Sequence, residues 1–199
     1  MKKHLLPLIT LGCFLLSINN AAAQNLPSEN DKTFEVMVSP FSSSPISFEQ
    51  FRFRTFQSSD KAYRLRGDIN YDSSRQSENQ SDSEFEFTIA PGIEWHAFRY
   101  DRISLYYGGE LMLNYETNRT QVSEDRTDKE GSFGVGLNAI AGLDVHFLQR
   151  LYTGMEVGYG LQMRSFLDSE IAGNTVENDR REISLGTFYL PRFRFGVTF

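Results

Sequence analysis

The closing stretch REISLGTFYLPRFRFGVTF, residues 181–199, decides how the rest of the chain is read. Ile183, Leu185, Tyr189, Phe193, Phe195, Val197 and the terminal Phe199 share one phase of a two-residue period. Alternation of that kind marks a strand with two different faces. A soluble strand turns its apolar phase toward a core and has no reason to carry that phase, in register, to an aromatic last residue. The same alternation runs back through the chain to Thr33 and marks eight segments: 33–41, 46–56, 61–71, 84–96, 102–116, 131–147, 151–166 and 181–199. Several exceed the roughly five or six residues usual in soluble strands and suit the ~9–11 needed to cross a bilayer at a tilt.

Alternation alone does not say which face is inside, and a soluble sandwich or lipocalin-like barrel would alternate too. The second phase settles the matter. It holds Gly92, Gly108, Gly134, Gly136, Gly142, Gly154, Gly158, Gly160, Gly186 and Gly196. Glycine weakens an exposed strand, whereas in a narrow barrel it makes room for larger side chains opposite. Aromatics on the apolar phase also gather near strand ends. Tyr63, Trp95, Phe147 and Phe199 lie at one end, and Tyr71, Phe85, Tyr115 and Phe133 at the other. Two such girdles are expected where amphipathic rings meet headgroups.

The connections sort into tight turns and long loops. Ser58-Ser59-Asp60, Arg99-Tyr100-Asp101 and Leu148-Gln149-Arg150 read as turns; 72–83, 117–130 and 167–180 read as long polar loops. The two kinds alternate, so the long loops emerge at one end, as in outer-membrane barrels. The link Ser42 to Pro45 is the exception, short where a long loop belongs. The expected fold is therefore all-β, an eight-stranded antiparallel up-and-down transmembrane β-barrel over 33–199, preceded by a short segment 24–32.

Residues 1–23 read as a secretory signal: Lys2 and Lys3, an apolar Leu5 to Ile18, then Ala21-Ala22-Ala23 before Gln24. Cys13 after Gly12 raises a lipoprotein signal, but Thr10 stands where Leu is usual and the apolar run continues past Cys13. Cleavage after Ala23 removes the single cysteine, so no disulfide is expected. It also takes Lys2 and Lys3 from a chain of 20 basic and 26 acidic residues, leaving a net −8. That balance argues against nucleic acid, which wants a basic face.

The signal peptide, the eight strands, GLNAIAGLDVHF (136–147) and RFRFGVTF (192–199) together resemble the small outer-membrane β-barrel proteins of Gram-negative bacteria. That class includes the OmpA transmembrane domain and OmpX. FEQFRFRTFQSSDKAYRLRGDINY (48–71) resembles the second hairpin region of uncharacterised members. The resemblance covers nearly all of the mature chain and implies a cell outer-membrane location with both termini periplasmic and outer-membrane lipid around the barrel. It implies no activity and no cofactor. It also implies that the barrel-insertion machinery reads the last strand, where Phe193, Phe195, Val197 and Phe199 match the pattern. A monomer is expected.

With the apolar phase outward, the inward acids are Glu35, Asp68, Glu86, Glu94, Glu110, Asp144 and Glu156. The inward bases are Arg52, Arg54, Arg64, Arg66, Arg164, Arg192 and Arg194. Unpaired charge in a narrow lumen is costly, and eight strands leave an interior about wide enough for side chains to fill. A salt-bridged plug is therefore favoured over a gated pore or proton path. Lipid A modification would need a nucleophile with a base. His96 and His146 lie at the short-turn end, away from the outer leaflet, and no serine stands beside either in the sequence as a dyad partner.

With Glu94 and Asp144, the two histidines could form a metal site, but strands four and six are not neighbours and ordinary hydrogen bonding is favoured. The loop acids Glu78, Asp82, Glu124, Asp125, Asp128, Glu130, Asp168, Glu170, Glu177 and Asp179 lack the spacing of a calcium loop and read as solvated surface. Asn118-Arg119-Thr120 matches the glycosylation tripeptide by accident. The expected function is non-enzymatic, in envelope structure or surface contact through a loop partner the sequence does not name. A small channel is the first alternative and a lipid A-modifying enzyme the second.

Overall fold

The structure, a computed structural model, describes residues 26–38, 46–77, 80–123 and 126–199; side chains at 38, 46–49, 76–77 and 188–192 are left out of the description. The signal peptide, the Ser42–Pro45 link, Glu78, Glu124, Asp125 and the side chains of Tyr189 and Arg192 thus lie outside the described residues.

Eight long strands form the wall: β1 (Lys32–Val38), β2 (Ile46–Ser58), β3 (Lys61–Ser77), β4 (Gln80–Tyr100), β5 (Ile103–Ser123), β6 (Arg126–His146), β7 (Leu151–Phe166) and, after two short strands, β10 (Arg181–Thr198). The short pair is β8 (Ser169–Ile171) and β9 (Asn174–Val176). Each wall strand pairs antiparallel with its sequence neighbours, and β1 pairs with β10, so the sheet closes into a ring. The seam is zipped from Thr33↔Thr198 to Val38↔Phe193. Beyond it Lys32 and Phe199 exchange both backbone hydrogen bonds, at 3.0 and 2.9 Å. Closure removes the free edges an open sheet would carry through this region.

The two phases take the faces expected of them. Leu137 is 65% exposed and Leu185 67%, among a continuous outward belt of Leu, Val, Met and aromatic side chains. Arg52, Arg54, Arg194 and Glu35 are all fully buried. An apolar exterior around a charged interior inverts the pattern of a water-soluble fold, because the hydrophobic effect drives large apolar side chains out of water.

Two expectations need correcting. The segments 72–83 and 117–130 are mostly strand: β3 pairs with β4 as far as Ser77↔Gln80, and β5 with β6 as far as Ser123↔Arg126. Hydrophobic alternation stops near Tyr71, Phe85, Tyr115 and Phe133, since beyond them both faces meet a polar medium. The backbone ladder needs no apolar face and continues. In 167–180, β8 and β9 form a small hairpin docked on β6 through Lys129↔Glu170. Its turn holds Ala172 and Gly173 at φ of 48° and 79°, the left-handed region glycine tolerates and alanine enters at a cost.

The single phase read along the last strand is also interrupted. Register shifts occur between Thr187 and Tyr189 and between Tyr189 and Arg192. Pro191 lies in this stretch, and proline cannot donate to a ladder. The alternation resumes with Phe193, Phe195, Val197 and Phe199 outward and exposed, and Arg194 inward.

Candidate functional site: the lumen and its two mouths

Five arginines and five carboxylates fill the half of the barrel nearer the short turns. Two-residue periodicity on strands with fixed registers places each one: Arg52 and Arg54 on β2, Arg64 and Arg66 on β3, Arg194 on β10, facing Glu35 on β1, Glu94 on β4, Glu110 on β5, Asp144 on β6 and Glu156 on β7. Guanidiniums suit such a position because five donors in a planar fork can serve several carboxylates at once.

Arg54 pairs with Glu35 at 2.8 Å, Glu94 at 3.1 Å and Asp144 at 2.9 Å. Arg64 donates to Glu94 at 2.9 Å, to Glu156 at 2.8 Å and 3.0 Å, and lies 3.2 Å from Glu110. Arg52 donates to Glu35 at 3.0 Å and also bonds Glu156. Arg194 pairs with Glu35 at 3.0 Å and with Asp144. Arg66 donates to Glu110 at 2.8 Å and to Asp68. In the ring order, β2 stands opposite β6 and β3 opposite β7. The Arg54–Asp144 and Arg64–Glu156 bonds therefore cross the full width of the lumen.

Two tyrosines knit the charges together, and reading ionisable residues alone missed both. The Tyr152 hydroxyl donates to Glu35 at 2.7 Å and accepts from Arg54 at 2.8 Å. Tyr106 bonds Glu156 and Arg194. Their rings lie where the facing strands carry glycine. A Cβ at Gly196 would fall 2.2 Å from the Tyr152 ring, and one at Gly142 2.3 Å from the Tyr106 ring. Large aromatics on a glycine-rich inward phase were the available signal.

The remaining inward residues lie elsewhere. Asp68, Glu86 and Arg164 are half-buried at the mouth from which the hairpins rise. Glu86 accepts from Asn114 at 2.9 Å, and Arg164 pairs with Glu116 at 3.1 Å, a partner the sequence reading did not select. At that mouth a cavity of about 460 Å³ is lined by residues that include Asp72, Asp82, Glu84, Asn118 and Glu130, with Arg119 also bordering it.

The short-turn end is strapped by residues 26–31. Asn30 N donates to Phe56 O and Phe56 N to Asp31 O, both at 2.9 Å, while Arg99 bonds the carbonyls of Pro27 and Ser59. In the adjacent turn the Ser58 hydroxyl bonds Asp60, holding that carboxyl below its ordinary range.

The histidines call for one correction. Serine does stand beside His96: Ser104 Oγ lies 2.7 Å from His96 Nδ1, and Glu94 lies 3.6 Å from Nε2. His96 pairs with Tyr106 across the β4–β5 ladder, and Ser104, two residues along on the same face, is its diagonal neighbour beside a bulge between His96 and Phe98. Ser104 is 1% exposed, so its hydroxyl is withdrawn from the surface and pairs with His96 inside the barrel. His146 stacks on Tyr152 at 4.8 Å. Among the described residues, no three His, Cys, Asp or Glu side chains converge as a metal-ion site.

No protein-family model matches the chain, and no curated protein matches it. Among solved structures, the crystal structure of Ail, the attachment invasion locus protein of Yersinia pestis, is similar at a TM-score of 0.51 and 12% identity. The match covers 86% of this chain and 99% of that one. At that identity the likeness speaks to fold alone. It agrees with the ring of strands and the inverted faces described above: the chain is an eight-stranded antiparallel up-and-down β-barrel.

Proposed function

We propose that this chain is an integral outer-membrane protein of a Gram-negative bacterium, non-enzymatic, with a lumen closed by paired charge. The observation that carries the proposal is the pair of cross-lumen bonds, Arg54–Asp144 and Arg64–Glu156, inside a belt of exposed Leu, Val and aromatic side chains. Lipid is the solvent in which such a belt is stable, and a closed barrel is the β-structure that satisfies every backbone group there. The short-turn end, with both termini, faces the periplasm, and the hairpins face outward.

A lumen occupied by side chains leaves the outer surface as the place where work is done. The hairpins β3–β4 and β5–β6 and the β8–β9 unit offer a rigid sheet for envelope structure or surface contact. Two results are expected together. The protein is recovered from outer-membrane fractions as a band that migrates faster unboiled than boiled, and protease added to intact cells cuts within 72–83 or 117–130 while sparing the barrel. Recovery as a soluble periplasmic protein would refute the membrane reading.

A further inference from the structure

The acids of the outer mouth stand in rows on the inward phase. Across the ladder Asp72 faces Glu84, Glu84 faces Asn118, and Asn118 faces Glu130. One step nearer the plug, Glu86 faces Glu116 and Glu116 faces Ser132. One step further, Thr88 faces Asn114. Like charges directly opposite on one face of an antiparallel pair destabilise it, and Asp72–Glu84 and Glu86–Glu116 are two such pairs. Arg164 takes Glu116, at 3.1 Å. Asp72, Glu84, Glu86 and Glu130 have no ion-pair partner among the described residues. Of the described residues bordering the cavity at this mouth, Arg119 alone is basic.

Acids in water need no partner, but two buried groups beneath them do. Asn114 Oδ1 and Ser132 Oγ find no hydrogen-bond partner, on side chains that are each 3% exposed and share the inward phase of the acids. The Glu86 carboxylate accepts from Asn114 Nδ2 at 2.9 Å. That bond settles which end of the amide is which and leaves Oδ1 an acceptor without a donor. A buried polar group left unpaired is costly, so this layer calls for a donor, and the acids above it call for positive charge. An alkylammonium supplies both. Neighbouring rows lie about 6.7 Å apart along the strands, about the interval at which a linear polyamine repeats its ammonium groups. A metal ion would need its ligands gathered at one point, and among the described residues no three His, Cys, Asp or Glu side chains converge in that way.

We propose that the outer mouth is a binding site for a linear polyamine, with one ammonium at Asn114 and Glu86 and another among Asp72, Glu84 and Glu130. The floor is Arg66, one inward step below Asp68 and held by Glu110 at 2.8 Å. The site is therefore a blind vestibule and passes nothing through the plug. Its cavity of about 460 Å³ suits a small molecule and not a folded partner. The proposal rests on the outer-membrane reading above only in placing this mouth outside the cell.

The test uses the full mature barrel, refolded in zwitterionic detergent micelles and confirmed as folded by its faster unboiled migration. Isothermal calorimetry then follows its titration with spermidine. Saturable one-site binding is expected, and E84Q/E86Q/E130Q weakens it by about tenfold or more, as the loss of several ion pairs of surface strength requires. Asn114→Ala weakens it by about threefold or more, the worth of one hydrogen bond. E170Q leaves it unchanged, because Glu170 lies outside the mouth and is paired with Lys129. No binding by the wild type, or equal binding by the glutamine variant, overturns the site. Equal affinity for butylamine at matched ionic strength overturns the match to the rows in favour of simple charge attraction. Tighter binding of magnesium than of spermidine overturns it in favour of a metal site. Should a variant not fold, the wild-type contrast between spermidine and butylamine decides alone. A chain that stays folded in water without detergent defeats the membrane reading, while spermidine binding, present or absent, still decides the vestibule.

Discussion

The lumen and the protruding hairpins are built on the same strands, with the same alternation, yet they treat charge in opposite ways. Inside, Arg52, Arg54, Arg64 and Arg194 are surrounded by Glu35, Glu94, Asp144 and Glu156 and are almost wholly withdrawn from water. On the hairpins, Arg126 pairs with Asp128 at 3.0 Å and Lys129 with Glu170 at 2.7 Å, each roughly a quarter to a half exposed. Burial is what separates them. Desolvation of an ion costs several kcal/mol in a protein interior and is offset only by close partners, so the lumen tolerates charge solely as a complete network. In water the same pairs are worth about 0–1 kcal/mol, and acids and bases are free to be distributed for another purpose.

The sharpest way to break this contrast is to remove one member of the network. Glu156 serves Arg52, Arg64, Arg194 and Tyr106. Glu156→Ala takes one carboxylate from each of three buried guanidiniums and leaves the network one negative charge short. A loss of about 3–5 kcal/mol is expected, read as a lower denaturant midpoint for the refolded barrel in micelles; a change below 1 kcal/mol, roughly the worth of a surface pair, would show that the network is not sealed from water. Packing around the tyrosines gives the next effect. Gly196→Ala drives a methyl into Tyr152, which Arg54 and Glu35 hold in place, and should cost about 1–3 kcal/mol. Gly186→Ala meets open space and should stay within about 0.5 kcal/mol. Equal costs at the two glycines would contradict the close fit.

On the hairpins the expected effects are small. Lys129→Ala should change stability by no more than about 0.5 kcal/mol, since its pair with Glu170 is half-exposed. The smallest effect is a pH response. Asp128 accepts from Arg126 and from the Ala172 amide at 3.1 Å, and its carboxyl is held below the ordinary value near 3.8, chiefly by the Arg126 bond. Because the folded value is the lower one, this support is present above the unfolded value and is lost as pH falls through the folded one. The Ala172 amide resonance should therefore move only below about pH 3.8. Movement above that value would mean Asp128 is not so held.

Much of this was legible in the residues, for a physical reason. Where one face is an apolar exterior and the other a packed, charged lumen, the side chains must alternate, so the eight strands and the inward arginines from Arg52 to Arg66 show at once. Ser73, Thr117 and Thr127 sit where both faces meet water, so nothing in their hydropathy reports that the ladder continues. Tyr106 and Tyr152 escaped because an inward aromatic resembles neither an ion nor a girdle. Their role needs the facing Gly142 and Gly196, which only the register supplies. Ser104 meets His96 across the β4–β5 ladder, and which residues of two strands face each other is not written in their spacing along the chain. Glu86 and Arg164 have the right phase but the wrong height, since phase fixes a face and not a depth along the barrel axis.

The closed lumen is the centre of the account, and single-channel recording on the refolded barrel in planar bilayers tests it most directly. A silent membrane at moderate voltage is expected, with no stable step above baseline, because Arg54–Asp144 and Arg64–Glu156 cross the lumen. A sustained, ohmic open state in the folded wild-type barrel would contradict it.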